Sequence, residues 1–130
     1  MNDSFLRLHA LAYKHFNNQN YGVSMVYFKK SLVVCSDANY RRYSLHAMLR
    51  IYSKMEKYTD MTDIFVMLIN EYTENLEIFR IEKFIKTNFI NKISLIELKK
   101  KLDENKNGHC VKKYYEALVN YIMLLTSKIE

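Results

Sequence analysis

Large apolar residues recur every three or four positions along this chain, in blocks separated by short polar stretches. In the first block Leu8, Leu11, Ala12 and His15 fall at i, i+3, i+4 and i+7, one face of a helix. Asp3 or Ser4 can cap that helix, which runs to about Asn17. "NNQN" supplies the turn, because Asn tolerates the left-handed conformation that ends helices. Met25, Phe28, Leu32 and Cys35 stripe a second helix from about Tyr21 to Cys35, and "SDAN" breaks the pattern. Leu45, Met48, Leu49 and Tyr52 mark a third from about Tyr40 to Met55. Met61, Ile64, Phe65 and Leu68 mark a fourth from about Thr59 to Tyr72.

The fifth block, about Leu76 to Asn88, turns Leu76, Phe79, Ile81 and Phe84 inward. "SLIE" at Ser94–Glu97 has the capping-box pattern and opens a short sixth helix through Leu102. "DENKNGH" holds Gly108 and is the most polar stretch, a loop. The last helix runs from about Val111 to Ser127, with Tyr114, Leu118, Tyr121, Ile122 and Leu125 on one side. The pattern predicts an all-α fold, an antiparallel array of about seven helices forming a single domain over residues 1–130. Residues 1–74 would supply two helix pairs and residues 75–130 the C-terminal helices.

Composition agrees with that reading. There is no proline and there are only two glycines, which argues against a turn-rich β fold. Cys35 and Cys110 make no metal-ligand cluster and read as two thiols in a reducing compartment. The N-terminal "MNDSFLRLHA" lacks the basic region and apolar core of a secretory signal. The longest apolar run, "ALVNYIMLLT", is too short to span a bilayer. A cytoplasmic protein with no membrane association is the expectation.

Two stretches share their opening. "LHALAYKHFNNQNY" begins at Leu8, and "LHAMLRIYSKMEKY" begins at Leu45, 37 residues later. Leu8, Leu11, Ala12, Tyr21, Ser24, Phe28, Ser31 and Ser36 follow the large–small alternation of one helix–turn–helix unit. On these residues the stretch Leu8–Ser36 resembles a tetratricopeptide repeat (TPR), whose unit is about 34 residues. Ala12, Ser24 and Ser31 stand where small residues let two helices approach, with Tyr21 and Phe28 filling the space beside them. In the second copy Leu45, Met48, Tyr52, Tyr58 and Phe65 keep the large positions. Leu49, Met61 and Leu68 replace the small ones, so the second pair should sit further apart. No third copy is legible after Glu74.

The resemblance implies a TPR-like superhelix with a C-terminal capping helix. Its first helices would line a groove for a peptide, showing His9, Tyr13, Asn17, His46, Arg50 and Lys54. That surface is polar, aromatic and basic, suited to an acidic segment. It departs from the Lys/Asn clamp that holds a terminal carboxylate, because Tyr13 stands where such a clamp has asparagine.

No catalytic motif, phosphate loop or metal-ligand spacing appears, so the chain reads as a non-enzyme without cofactor, metal or small-molecule substrate. Glu56, Asp60 and Asp63 read as a solvated acidic face. The net charge of +6 is uneven: nine Lys/Arg against seven acids up to Glu74, then eleven against seven. That surplus favours an acidic partner. Arg41 and Arg42 lie between Tyr40 and Tyr43, Lys99, Lys100 and Lys101 in the sixth helix, and Lys112 and Lys113 in the last. These are the candidate phosphate contacts. Two functions follow as expectations. The first is an adaptor docking onto a large assembly that contains RNA, such as the ribosome and its RNA. The second is a scaffold or peptide-binding subunit whose partners are proteins alone.

Overall fold

The structure, a computed structural model, describes residues 4–71 and 78–129, except for the side chains at 4, 79, 109 and 110. The described residues form seven α-helices and no strand. They are α1 (Ser4–Asn17), α2 (Tyr21–Val34), α3 (Ala38–Lys54), α4 (Tyr58–Glu71), α5 (Ile78–Asn88), α6 (Lys92–Glu104) and α7 (His109–Lys128). The fold is all-α. The expectations on Asp3, Leu76, Phe79 and Cys110 concern residues or side chains outside those described.

The 37-residue offset recurs in the backbone. α2 and α4 are each 14 residues long and begin 37 residues apart, at Tyr21 and Tyr58. The connections before them are built alike. At the end of α1, Asn20 N–H donates to His15 O (2.8 Å) and Gln19 N–H to Phe16 O (3.0 Å), with Gln19 at φ 62°. At the end of α3, Lys57 N–H donates to Tyr52 O (2.9 Å) and Glu56 N–H to Ser53 O (3.2 Å), with Glu56 at φ 58°. Both are the paired bonds that close a helix around a left-handed residue. That residue is Gln19 in one copy and Glu56 in the other, not the asparagine expected. The helix carbonyls they satisfy outweigh the modest strain of a left-handed side chain.

The three-residue connections fold α1 back on α2 and α3 back on α4. α1 and α2 make the most extensive backbone contact of any helix pair, more than α3 and α4. The residues at the crossing account for this. Ala12, Ser24 and Ser31 are fully buried, whereas Leu49, Met61 and Leu68 occupy the corresponding interior of the second pair. Ser24 Oγ donates to Ala12 O at 2.7 Å, a bond that requires the two backbones to touch. Ser31 Oγ is buried with no hydrogen-bond partner among the described residues, so small size is what the site uses.

α5 and α6 are again joined by three residues, Phe89 to Asn91, but make little backbone contact with each other and do not repeat the pairing of α1 with α2 or α3 with α4. α5 packs on α3 and α7, and α6 on α4 and α7. Ile81, Ile85, Leu95, Leu98, Leu118 and Ile122 close this half of the core.

Two sequence expectations change. The capping box of α6 is not Ser94–Glu97. Asn91 is the N-cap, its Oδ1 accepting from Ser94 N–H (2.8 Å), while Ser94 Oγ accepts from Asn91 N–H (3.4 Å). Asn91 Nδ2 also donates to Tyr58 Oη at 2.6 Å, tying the start of α6 to the start of α4. The "DENKNGH" stretch is only partly a loop: α6 keeps Asp103 and Glu104, and Gly108 caps α7.

Replacing Ser24 by Phe should overpack the α1–α2 crossing and remove its hydrogen bond, costing roughly 1–3 kcal/mol or more. Met61→Phe puts a side chain of similar volume at the equivalent site of the second pair and should cost less than about 1.5 kcal/mol. Denaturant midpoints of the two variants measure the difference, and equal losses would remove the size distinction between the pairs.

Candidate binding groove

α1 lies beside α3, and α3 beside α5, held by side chains rather than by close backbone contact. His9 Nδ1 and Ser44 Oγ are 3.2 Å apart, and Tyr13 Oη donates to Tyr43 O at 3.3 Å, linking α1 to α3. The His9 ring also meets Tyr40 edge-on at 5.2 Å. One step along, the His46 ring meets Phe84 of α5 edge-on at 4.7 Å, and Ser53 Oγ donates to Asn88 O at 2.9 Å. His9 and His46 therefore do the same work: His9 joins α1 to α3, and His46 joins α3 to α5.

Along the α3–α5 seam runs an open cleft of 620 Å³, lined by His46, Arg50, Arg80, Lys83, Phe84, Thr87 and Asn88. Beside it, over the α1–α3 seam, lies a smaller one of 190 Å³ lined by Tyr13, Phe16, Tyr43, His46, Ala47 and Arg50. His46 and Arg50 wall both, so the two form one groove with a basic end and an aromatic end. On α5 Arg80, Lys83 and Thr87 fall at i, i+3 and i+7, one helical face. No acidic residue lines either cleft, and Arg50, Arg80 and Lys83 carry no ion pair among the described residues. Burial raises the Tyr121 pKa on α7, with the Glu82 charge adding to the effect.

The groove candidates divide. Tyr13, His46 and Arg50 line it. His9 is turned into a cage of Tyr13, Phe28 and Tyr40. Asn17 and Lys54 are exposed at the ends of their helices and line neither cleft. Arg80, Lys83 and Thr87 were not among the residues expected in the groove, because nothing in the sequence places α5 beside α3.

The phosphate candidates do not converge. α4 packs between α3, which carries Arg41 and Arg42, and α6, which carries the lysine run. Arg41 is committed to the fold. Its Nη1 donates to Leu32 O (2.8 Å) and Cys35 O (3.1 Å), and its Nε and Nη2 reach Glu71 Oε1 at 2.9 and 2.7 Å. It thus satisfies the last carbonyls of α2 while clamping α3 to α4. Arg42 Nε donates to Ala38 O at 3.2 Å. Lys99 pairs with Asp103 at 3.1 Å, and Lys101 with Asp63 at 2.5 Å. Asp63 is therefore not simply part of a solvated acidic face; its bond is the main cause raising the Lys101 pKa. Lys100, Lys112 and Lys113 are exposed, with Lys113 Nζ 5.3 Å from the Tyr114 ring centre.

Burial sets the protonation of the groove. It holds the His9 imidazole below its ordinary pKa. It does the same at His46, with Arg50 and Arg42 adding to the effect. Burial also raises the Tyr13 pKa, Arg50 opposing and Tyr43 assisting. No group of three or more metal-ligating side chains occurs among the described residues. No helix among them is long and apolar enough to cross a membrane.

Both histidines have folded pKa values below the unfolded value of about 6.5, so the unfolded chain binds more protons in the window just beneath it. Their contribution to stability is complete above that window and is lost as the pH falls through it, levelling off below the folded values. The urea midpoint should therefore be lower at about pH 5.5 than at about pH 7.5, and replacing both histidines by Gln should flatten that difference. A wild-type midpoint that is level across this range would contradict the burial of the two rings.

No family model, curated protein or solved structure matches this chain.

Proposed function

We propose that this chain is a non-enzymatic, TPR-like binding module of the cytoplasm that docks an acidic segment of a protein partner in the groove across α1, α3 and α5. The observation that carries this reading is the groove's charge: three cations without ion pairs among the described residues, and no acid, around one open cleft. Like charges lining one cleft repel one another, and an anionic ligand relieves that repulsion. The aromatic cleft beside it offers an apolar anchor site, the usual division between a residue that gives affinity and charges that give orientation. The 37-residue recurrence of helix and turn supports a repeat array, in which successive first helices build a continuous surface.

Docking onto an RNA–protein particle such as the ribosome has less behind it. Of the seven residues proposed to meet phosphates, Arg41, Lys99 and Lys101 are engaged in ion pairs within the fold. The remaining basic side chains lie on three different helices rather than along one track.

The test uses a fluorescein-labelled, Glu-rich peptide carrying one phenylalanine, followed by anisotropy. Binding should weaken as salt is raised, and Arg50→Glu should reduce affinity tenfold or more, about 1.4 kcal/mol. Arg50 is exposed, so its reversal should leave the fold intact. A wild-type protein that ignores the peptide, or an Arg50→Glu variant that binds it equally well, overturns the reading.

A further inference from the structure

Resting on the acidic-segment reading, the groove can be assigned a more specific ligand. We infer that its basic end is built for a phosphorylated side chain, and that the ligand is a phosphopeptide with a bulky apolar residue in the neighbouring aromatic cleft.

The argument is one of charge matching. A single carboxylate is satisfied by one arginine in a bidentate pair. The 620 Å³ cleft gathers Arg50 from α3 with Arg80 and Lys83 from α5, and adds the Thr87 hydroxyl. One carboxylate among three cations leaves most of their mutual repulsion in place. A phosphomonoester carries about −1.5 to −2 charges at neutral pH and three strong acceptor oxygens, so it offsets more of the cleft's three positive charges, and offers acceptors to more of its donor groups, than one carboxylate does. The cations stand on two helices and line one cleft, so a compact anion can be met from both helices at once. That geometry separates a phosphomonoester from a nucleic-acid backbone, whose phosphodiesters carry one charge each and are spread along the strand.

The aromatic end sets the second half of the ligand. Its cleft of 190 Å³ is walled by Tyr13, Phe16, Tyr43 and Ala47 and shares His46 and Arg50 with the basic end. An apolar side chain seated there holds its neighbours at the mouth of the basic cleft. Tyr13 Oη donates to Tyr43 O at 3.3 Å, an exposed bond that spans this end.

The experiment extends the labelled peptide into a series in which phosphoserine is stepped away from the phenylalanine. At least one spacing should bind tenfold or more tighter than the unphosphorylated peptide. An Arg80→Gln, Lys83→Gln double variant should lose most of that increment. Excess phenyl phosphate should compete. Three results are decisive in other directions. If the Glu-rich peptide binds and phosphate adds nothing at any spacing, this inference fails and the acidic-segment reading stands. If no peptide of either kind binds, the reading itself fails. If a single-stranded oligouridylate binds more tightly than the best phosphopeptide at the same salt, the site is one for phosphodiesters and the inference is overturned. An increment that survives in the double variant also overturns it.

Discussion

Three-residue connections are the constraint from which the architecture follows. A chain that leaves a helix through one left-handed residue and enters the next helix three positions later can only double back. Gln19 and Glu56 adopt that conformation and close α1 and α3 with the same pair of hydrogen bonds. Each closure makes an antiparallel pair with its apolar faces together. Such pairs cannot bury both sides of both helices alone, so they stack, and stacking brings first helix beside first helix. The groove lies along those seams. It is a consequence of the turns before it is a consequence of any residue inside it.

What differs from seam to seam is the way the first helices are joined. Between α1 and α2 and between α3 and α4, packing is close and apolar; at the α1–α2 crossing it is close enough for Ser24 to bond a carbonyl of its neighbour. Between α1 and α3 and between α3 and α5 the joints are polar and aromatic: His9 with Ser44 and Tyr40, His46 with Phe84, Ser53 with Asn88. Side chains of that kind stand further off than small residues do and leave clefts open between helices. The same histidine therefore serves two ends, holding the layer together and walling the space a ligand would enter. Arg41, in the first turn of α3, plays the complementary part by fastening α2 and α4 to that helix.

Much of this was legible in the sequence where periodicity is strong. The stripe of α3 is buried at Leu45, Met48, Leu49 and Tyr52, and that of α4 at Met61, Ile64, Phe65 and Leu68, because a core-facing helix shows its burial in its spacing. Tyr13, His46 and Arg50 were placed on the groove through the repeat. Arg80 and Lys83 were not, because the placement of α5 beside α3 and α7 depends on long-range packing that residue spacing does not show. Ion pairing was the other blind spot. Arg41 and Arg42 are neighbours in sequence, yet Arg41 meets Glu71 30 residues away while Arg42 bonds back to its own helix. A run of like charges shows its sign in the sequence, whereas its partners depend on which helices meet.

The central claim is that α5 lies beside α3, so that Arg80 and Lys83 face Arg50 across one cleft. A double-mutant cycle on His46 and Phe84 tests it most directly, because their rings meet across that seam at 4.7 Å and belong to helices with different neighbours otherwise. His46→Ala, Phe84→Ala and the double variant are unfolded in urea and their losses compared. The structure predicts a coupling of about 0.5–1.5 kcal/mol, the range for aromatic pairs in contact. Strict additivity would separate the two rings, detach α5 from α3 and leave no groove between them.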